Sequence, residues 1–225
     1  MSTEPTRVAL SWSGGKDAAW ALHRLRSTPG VEIVALVTTV VTAFERVAMH
    51  GVRAELLRAQ ARAAGVPLAE VPLSWPSTNA EYEARVGAVL AGLKEERGVT
   101  HVAFGDLFLA EVRDYRERML EGSGLTPLFP LWKEPTGPLV REMLAAGVEA
   151  TIVCLDPARV PRELAGRPID AALLAALPAS VDPCGERGEF HTFVSAGPML
   201  GEPLSVATGV VVEREGFVYA DLTAA

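Results

Sequence analysis

The feature that most constrains the fold is a glycine-containing segment near the N-terminus, residues 11–18. A short apolar run precedes it at residues 8–10, and an alanine-rich stretch with helical spacing follows it. This order predicts a buried strand, a tight turn and a helix. The amides that open a helix lack intrahelical partners and lie at the positive end of its dipole. Such a turn therefore favours a bound anion, and Lys16 adds a positive charge beside it.

Two common phosphate-binding motifs do not fit this segment. The Walker loop requires a glycine immediately before its lysine and a hydroxyl immediately after, whereas Lys16 is followed by Asp17. The dinucleotide-binding fingerprint G-x-G-x-x-G is also absent here. A strand-to-helix turn that contains a glycine pair and binds nothing remains the alternative.

The rest of the chain alternates between strand-like and helix-like segments, which predicts an α/β fold with a parallel sheet. Val31–Val41 is almost entirely apolar and rich in β-branched residues, as expected of a strand that is covered on both faces. Further strands are predicted at residues 67–73, 99–106, 149–155, 207–213 and 217–222. Further helices are predicted at residues 52–64, 81–97, 109–120, 137–146 and 169–177. We expect the proline-rich segment 126–132 to separate two domains, residues 1–125 and 126–225.

Gly105 and Asp106 end one of these predicted core strands. Ligands of open α/β sheets collect beyond the carboxyl ends of the strands, so we expect Asp106 on the same rim as Ser13. A helix cap for the following segment is the alternative role for this carboxylate. The charged residues of that segment would by default form a solvated face, although Arg113 and Arg116 are candidates to hold an anionic substrate.

A second polar cluster lies at residues 182–194 in an otherwise apolar, alanine-rich region. Alternation along this stretch predicts that Glu189 and His191 share one face of a strand, with Glu186 shortly before it. A carboxylate and an imidazole on one face can transfer protons or bind a metal. The alternative is a glycine turn followed by a half-buried strand whose polar face meets water. Cys184 as a nucleophile is the weaker hypothesis, since buried cysteines are more often inert.

Charge and cysteine content limit the classes of partner and the compartment. The formal net charge of −7 leaves no basic surplus for nonspecific nucleic-acid binding. The two cysteines form no C-x-x-C pair, which argues against a structural zinc site and indicates a reducing, cytoplasmic location. The polar start (Met1 to Thr6) and the absence of a long apolar run predict no signal peptide and no membrane association. A homo-oligomer is compatible with this composition.

Taken together, these motifs resemble the diphthine–ammonia ligase family, a branch of the N-type ATP pyrophosphatases, and its bacterial subgroup with a Gly-Glu-Phe-His-Thr motif. The resemblance runs nearly end to end and rests on five stretches of sequence. They are Ser13-Gly14-Gly15-Lys16-Asp17, His50-Gly51 with Leu56-Leu57-Arg58-Ala59-Gln60-Ala61, Gly105-Asp106, Pro127-Leu128-Phe129-Pro130-Leu131-Trp132, and Gly185-Glu186-Arg187-Gly188-Glu189-Phe190-His191-Thr192-Phe193.

The resemblance implies a Rossmann-like nucleotide-binding domain (the PP-loop fold) followed by a smaller α+β substrate domain. It implies an ATP-dependent, amide-forming ligase that cleaves ATP to AMP and pyrophosphate through an acyl-adenylate, using Mg²⁺, a small-molecule carboxylate and ammonia. The implied metal ligands are Asp17 and Asp106. The implied catalytic residues are Lys16, Asp17, Glu186, Glu189 and His191. The implied nucleotide-binding residues are Ser11, Ser13, Gly14, Gly15, Lys16, Asp17, Val37, Thr38, His50, Gly105 and Asp106.

The sequence departs from the family pattern at two of these stretches. Ala18 replaces the serine that closes the glycine loop, and His191 stands where the diphthamide enzymes carry a glutamate. Loss of one hydroxyl donor removes roughly 1 kcal/mol of hydrogen bonding. Three other functions therefore stay open: a nucleotide-binding sensor, an ATP or AMP hydrolase without an acceptor, and a tRNA-modifying ATP pyrophosphatase.

Overall fold

The fold, described by a computed structural model for residues 4–225, is an α/β structure built around two sheets. The first three residues of the polar N-terminal stretch, and of the predicted first domain, lie outside that range. We call the larger, mostly parallel sheet sheet A and the smaller antiparallel sheet sheet B. The elements, in chain order, are β1 (Thr6–Ser11), α1 (Lys16–Arg26), β2 (Val31–Val41), β3 (Arg46–Val47), α2 (Ala54–Ala64), β4 (Leu68–Leu73), α3 (Asn79–Arg97), β5 (His101–Ala103), α4 (Ala110–Leu120), β6 (Thr126–Leu128), α5 (Thr136–Ala145), β7 (Glu149–Leu155), α6 (Ala171–Ala176), β8 (Phe190–Ala196), β9 (Val206–Arg214) and β10 (Phe217–Ala224).

Sheet A has the strand order of a Rossmann-like fold. Its parallel strands run β4-β2-β1-β5-β6, and the short β3 pairs antiparallel with the end of β2. Strands β2 and β4 lie on one side of β1, and the chain then crosses to the other side of β1 to form β5 and β6. The carboxyl ends of β1 and β5 therefore flank the point where the strand order reverses, which is where such sheets bind their ligands.

Local chemistry explains the start of α3 and the ends of α2 and α3. Thr78 caps α3 by accepting a hydrogen bond from the Glu81 amide at 3.2 Å. Gly65 and Gly98 end α2 and α3 in the left-handed conformation, at φ values of +65° and +63°. Glycine adopts this conformation without the steric cost of a Cβ.

Segment 126–132, which we expect to separate the two domains, contains a short strand. Thr126–Leu128 forms the edge strand β6, in which Pro127 lies opposite Val102. An edge strand tolerates proline because one side of its backbone needs no partner. The last strand of sheet A thus begins at residue 126, next to the domain boundary we predict from composition.

Sheet B packs against the α1 side of sheet A. Its order is β8-β7-β10-β9, with all neighbours antiparallel and with β9 and β10 joined by the predicted tight turn. Side chains of both sheets share one continuous apolar core, in which Leu22 of α1 and Phe193 of β8 are fully buried. Helices α3 and α4 cover the opposite face of sheet A. Among residues 4–225, no helix is both long enough and apolar enough to cross a membrane.

Candidate active site

The glycine loop, residues 13–17, leads from β1 into the first turn of α1 and packs on buried side chains of α2. Gly14 has a φ of +79°, and an added Cβ would lie 2.9 Å from side-chain atoms of Gln60 and Leu57. The Gln60 amide donates to the carbonyls of Gly14 and Val194 at 3.0 and 2.6 Å. Its oxygen accepts the indole N–H of Trp12 at 2.9 Å. One fully buried amide therefore connects the residue after β1, the loop and sheet B.

Sheet B contributes directly to the start of α1. The Thr192 hydroxyl accepts the Lys16 amide at 3.0 Å, and the Val194 amide donates to the Gly14 carbonyl at 2.9 Å. Gly15, the residue before α1, makes no side-chain cap of its own. A threonine 176 positions away thus takes the role that a local cap usually fills.

Lys16 points into the protein rather than into solvent. Its ammonium donates to the Asp17 carboxylate at 2.8 Å and to the Cys184 carbonyl, and the side chain is only 3% exposed. Burial is the largest single effect and would lower the pKa of this lysine, but Asp17, Cys184 and Glu186 together outweigh it and the pKa is raised. Lys16 therefore stays protonated and holds a positive charge beneath the loop.

The loop after β5 lies directly against the start of α1. An added Cβ on Gly105 would be 2.9 Å from the amide nitrogen of Ala18. The next residue, Asp106, has one carboxylate oxygen 3.5 Å from the Arg116 guanidinium. That oxygen is buried and has no hydrogen-bond partner within the described part of the chain. Burial raises the pKa of Asp106 against the opposing effect of Arg116.

Two adjoining cavities open at this rim. The apolar cavity has a volume of about 590 Å³ and includes Val37 and Thr38 of β2 together with side chains of α3 and α4. The Thr38 hydroxyl is buried there and has no hydrogen-bond partner among residues 4–225. The polar cavity is smaller, about 240 Å³, and lies between the glycine loop and the segment 184–192. Both cavities share the lining residues Ser11, Ser13, Met49, His50, Phe104, Val112 and Arg116.

Glu186 and Glu189 lie in different surroundings despite their closeness in sequence. Glu186 lines the polar cavity and accepts the amides of Leu107 and Phe108 at 2.7 and 3.3 Å. Burial raises its pKa to about 7, although the two amides oppose the shift. Glu189 is fully buried, pairs with Arg159 at 2.9 Å and also accepts the amide of Asp182. Glu189 therefore fixes the turn that presents Glu186.

Two imidazoles close the polar cavity on its other side. The rings of His50 and His191 lie 4.3 Å apart between centroids, at a tilt of 43°. Burial, and then the Lys16 charge, lower the pKa of His191 to about 4. Burial lowers the pKa of His50 as well, with His191 as the next cause. Both rings are therefore neutral near pH 7.

Most of the residues predicted from the sequence meet at these two cavities. The residues at the polar cavity are Ser11, Ser13, Gly15, Lys16, Asp17, His50, Gly105, Asp106, Glu186 and His191. Val37 and Thr38 line the apolar cavity instead. Gly14 and Glu189 line neither cavity, because Gly14 packs on Gln60 and Glu189 is fully buried and paired with Arg159. Cys154 and Cys184 are both buried free thiols.

Sequence reasoning gave no role to three residues that build the site: Gln60, Thr192 and Arg159. Gln60 carries a detectable signal, because it is a lone amide on the otherwise apolar buried stripe of α2. Thr192 belongs to the stretch 185–193 that carries the family resemblance, but its contact with Lys16 spans 176 residues. Arg159 reaches Glu189 across 30 residues, so no local pattern predicts either contact.

The carboxylates of the polar cavity are the candidate ligands for a metal ion. Among residues 4–225, no cluster of three or more His, Cys, Asp or Glu side chains could hold an ion by itself. Asp17 and Asp106 nevertheless line the same polar cavity, and Asp106 has a buried carboxylate oxygen without a hydrogen-bond partner. Mg²⁺ is commonly bound by one or two carboxylates plus substrate phosphates, so these residues fit an ion that phosphate helps to hold.

Comparison with known proteins identifies the family. The family model for the diphthamide synthase N-terminal domain matches residues 6–127. Diphthine–ammonia ligase of Rattus norvegicus is 28% identical over 133 residues, which cover 57% of this chain and 50% of the relative. The Bos taurus enzyme of the same name is 26% identical over the same shares. The chain thus spans about half the length of the curated relatives it matches. Because the family model covers more than half of the chain, this protein belongs to the diphthamide synthase family.

Proposed function

We propose that this protein is an ATP-dependent ligase that cleaves ATP to AMP and pyrophosphate and forms an amide through an acyl-adenylate. The observation that carries the proposal is the polar cavity, where the glycine loop, Asp106 and Glu186 converge from three parts of the chain. Membership of the diphthamide synthase family supports the class of reaction. The proposal includes the division into a nucleotide-binding domain, residues 1–125, and a substrate-binding domain, residues 126–225.

The two cavities suit the two parts of ATP. We assign the nucleoside to the apolar cavity, where the Thr38 hydroxyl offers a buried polar group without a partner. The phosphates then extend along the glycine loop toward the polar cavity. First-turn amides of α1 without intrahelical partners, together with the Lys16 ammonium, stabilise the negative charge that grows on the leaving pyrophosphate.

Ala18 supplies no hydroxyl to these phosphates. Ser11 and Ser13 line both cavities and provide hydroxyl groups on the other side of the loop. Asp17 and Asp106 would hold Mg²⁺, which neutralises phosphate charge when it is bound. The Lys16 ammonium shares both oxygens of Asp17, so it fixes the position of that carboxylate.

The acceptor side of the reaction belongs to the segment 184–192. A substrate carboxylate attacks the α-phosphate, pyrophosphate leaves, and ammonia then displaces AMP to give the amide. Glu186 is the best-placed base to accept the proton of the attacking amine, because its pKa of about 7 suits proton transfer near neutral pH. The neutral rings of His50 and His191 add hydrogen-bonding groups without adding charge. Glu189 acts through position, since it is fully buried and bound to Arg159.

ATP–pyrophosphate exchange tests the proposal. Purified protein is incubated with ATP, labelled pyrophosphate, Mg²⁺ and a panel of small carboxylic acids, and AMP is then measured with and without ammonia. We expect exchange that depends on one class of acid and AMP release that depends on ammonia. Asp17→Asn should reduce exchange about 100-fold or more, the size expected when a group that stabilises the transition-state charge is lost.

Asp114→Asn is the matched control, because Asp114 is exposed on α4 and lines neither cavity. Tight ATP binding without exchange or AMP release for any acid would overturn the ligase proposal in favour of a nucleotide sensor. AMP release that needs no acid would instead identify a hydrolase.

A further inference from the structure

Arg116 occupies the junction between the two cavities. It lies on α4 and lines both the apolar and the polar cavity. Its guanidinium packs over the Phe104 ring at 5.0 Å and donates to the Tyr82 hydroxyl at 3.3 Å. These contacts fix the plane of the side chain, whose exposed fraction is 22%.

Arg116 is the charged group at this junction. Of the seven residues that line both cavities, only Arg116 and His50 are basic, and burial keeps His50 neutral by lowering its pKa. Lys16 lies deeper and is already bound by Asp17 and the Cys184 carbonyl. The Arg116 guanidinium makes one hydrogen bond, from Nη1 to the Tyr82 hydroxyl, and its buried Nε lies 3.5 Å from Asp106. Its Nη2 makes no hydrogen bond within the described chain, and this arginine lines both cavities, so it retains a donor where the cavities meet.

The neighbouring arginine on the same helix is placed differently. Arg113 stacks between the rings of Phe129 and Trp132 at 4.7 and 4.9 Å and pairs with Glu117 at 2.7 Å. It lines neither cavity. Of the two arginines that the sequence offers for an anionic substrate, the fold brings only Arg116 to the site.

We propose that Arg116 binds the phosphate attached directly to the nucleoside, the α-phosphate of ATP, and retains it in AMP after pyrophosphate has left. This inference rests on the proposed function, which assigns the nucleoside to the apolar cavity and the outer phosphates to the glycine loop. The α-phosphate then lies at the junction of the cavities. A guanidinium suits this position because its planar donors can bind two phosphate oxygens at once.

Calorimetric titration of AMP and adenosine in the presence of EDTA tests this role without turnover and without metal. Arg116→Gln should weaken AMP binding about 10- to 100-fold, the loss expected for hydrogen bonds to a charged group, and leave adenosine binding unchanged. Arg116→Lys should recover part of the loss, because it keeps the charge but not the planar donors. Arg118→Gln is the control, since Arg118 is exposed on the same helix and lines neither cavity.

The outcomes separate this inference from the proposed function. Wild-type protein that binds neither nucleotide nor nucleoside overturns both. If the wild-type protein catalyses exchange but Arg116→Gln binds AMP as tightly as wild type, only the role of Arg116 is overturned. If Arg116→Gln loses affinity for AMP and for adenosine equally, Arg116 shapes the apolar cavity instead, and its proposed role in binding the α-phosphate is also overturned. If Arg116 acted solely by positioning Asp106, the variant would change the Mg²⁺ requirement of exchange and leave AMP binding in EDTA intact.

Discussion

Gln60 offers the sharpest test of how the site is built. The substitution Gln60→Met keeps the length of the side chain and its place in α2 but removes its polar atoms. Two buried groups would then lose their partners, the Trp12 indole N–H and the Val194 carbonyl. The Gly14 carbonyl would still accept the Val194 amide at 2.9 Å.

The expected cost follows from those two groups. Leaving one buried polar group unsatisfied costs about 1–3 kcal/mol, so the free energy of unfolding should fall by about 2–6 kcal/mol. Single domains are stable by only about 5–15 kcal/mol, and such a loss would be plain in a urea titration. Nucleotide affinity should fall as well, because the same amide holds the glycine loop.

Arg62→Met is the matched control, since Arg62 is an exposed residue of the same helix. Its free energy of unfolding should change by no more than about 0.5 kcal/mol. A loss below about 1 kcal/mol in Gln60→Met would refute the reasoning, because it would mean that the orphaned groups find other partners.

Two further predictions follow from the same site. Gly105→Ala should lower the free energy of unfolding by about 1–3 kcal/mol and weaken ATP binding, because its Cβ would meet the Ala18 amide nitrogen at 2.9 Å. Gly87→Ala has open space within α3 and should instead be stabilising in the same denaturation assay, so equal effects would contradict the argument. The pKa of Glu186 is raised from its ordinary 4.5 to about 7, so its contribution to stability is full below pH 4.5 and is lost as the pH rises through 7. Glu186→Gln cannot ionise; a stability difference from wild type that stays constant between pH 4.5 and pH 8 would contradict this pKa.

The sequence determined most of the helices and strands and the glycine loop as the candidate site. Local signals suffice for these features, because Gly65 and Gly98 end helices through their own backbone conformation and β2 is recognisable from its β-branched residues. The rule that ligands gather beyond the carboxyl ends of parallel strands also brought Asp106 correctly to the rim of the glycine loop.

Only the tertiary structure decided which of these polar groups face the cavities. Glu186 and Glu189 are three residues apart, yet Glu189 is fully buried and paired with Arg159, whereas Glu186 lines the polar cavity. Arg113 and Arg116 are also three residues apart, and aromatic rings of a distant segment hold the first away from the site. The cap of α1 comes from Thr192 on the other sheet. The sequence specifies local backbone preference and burial pattern, whereas the partner of each charge depends on long-range packing that no local pattern encodes.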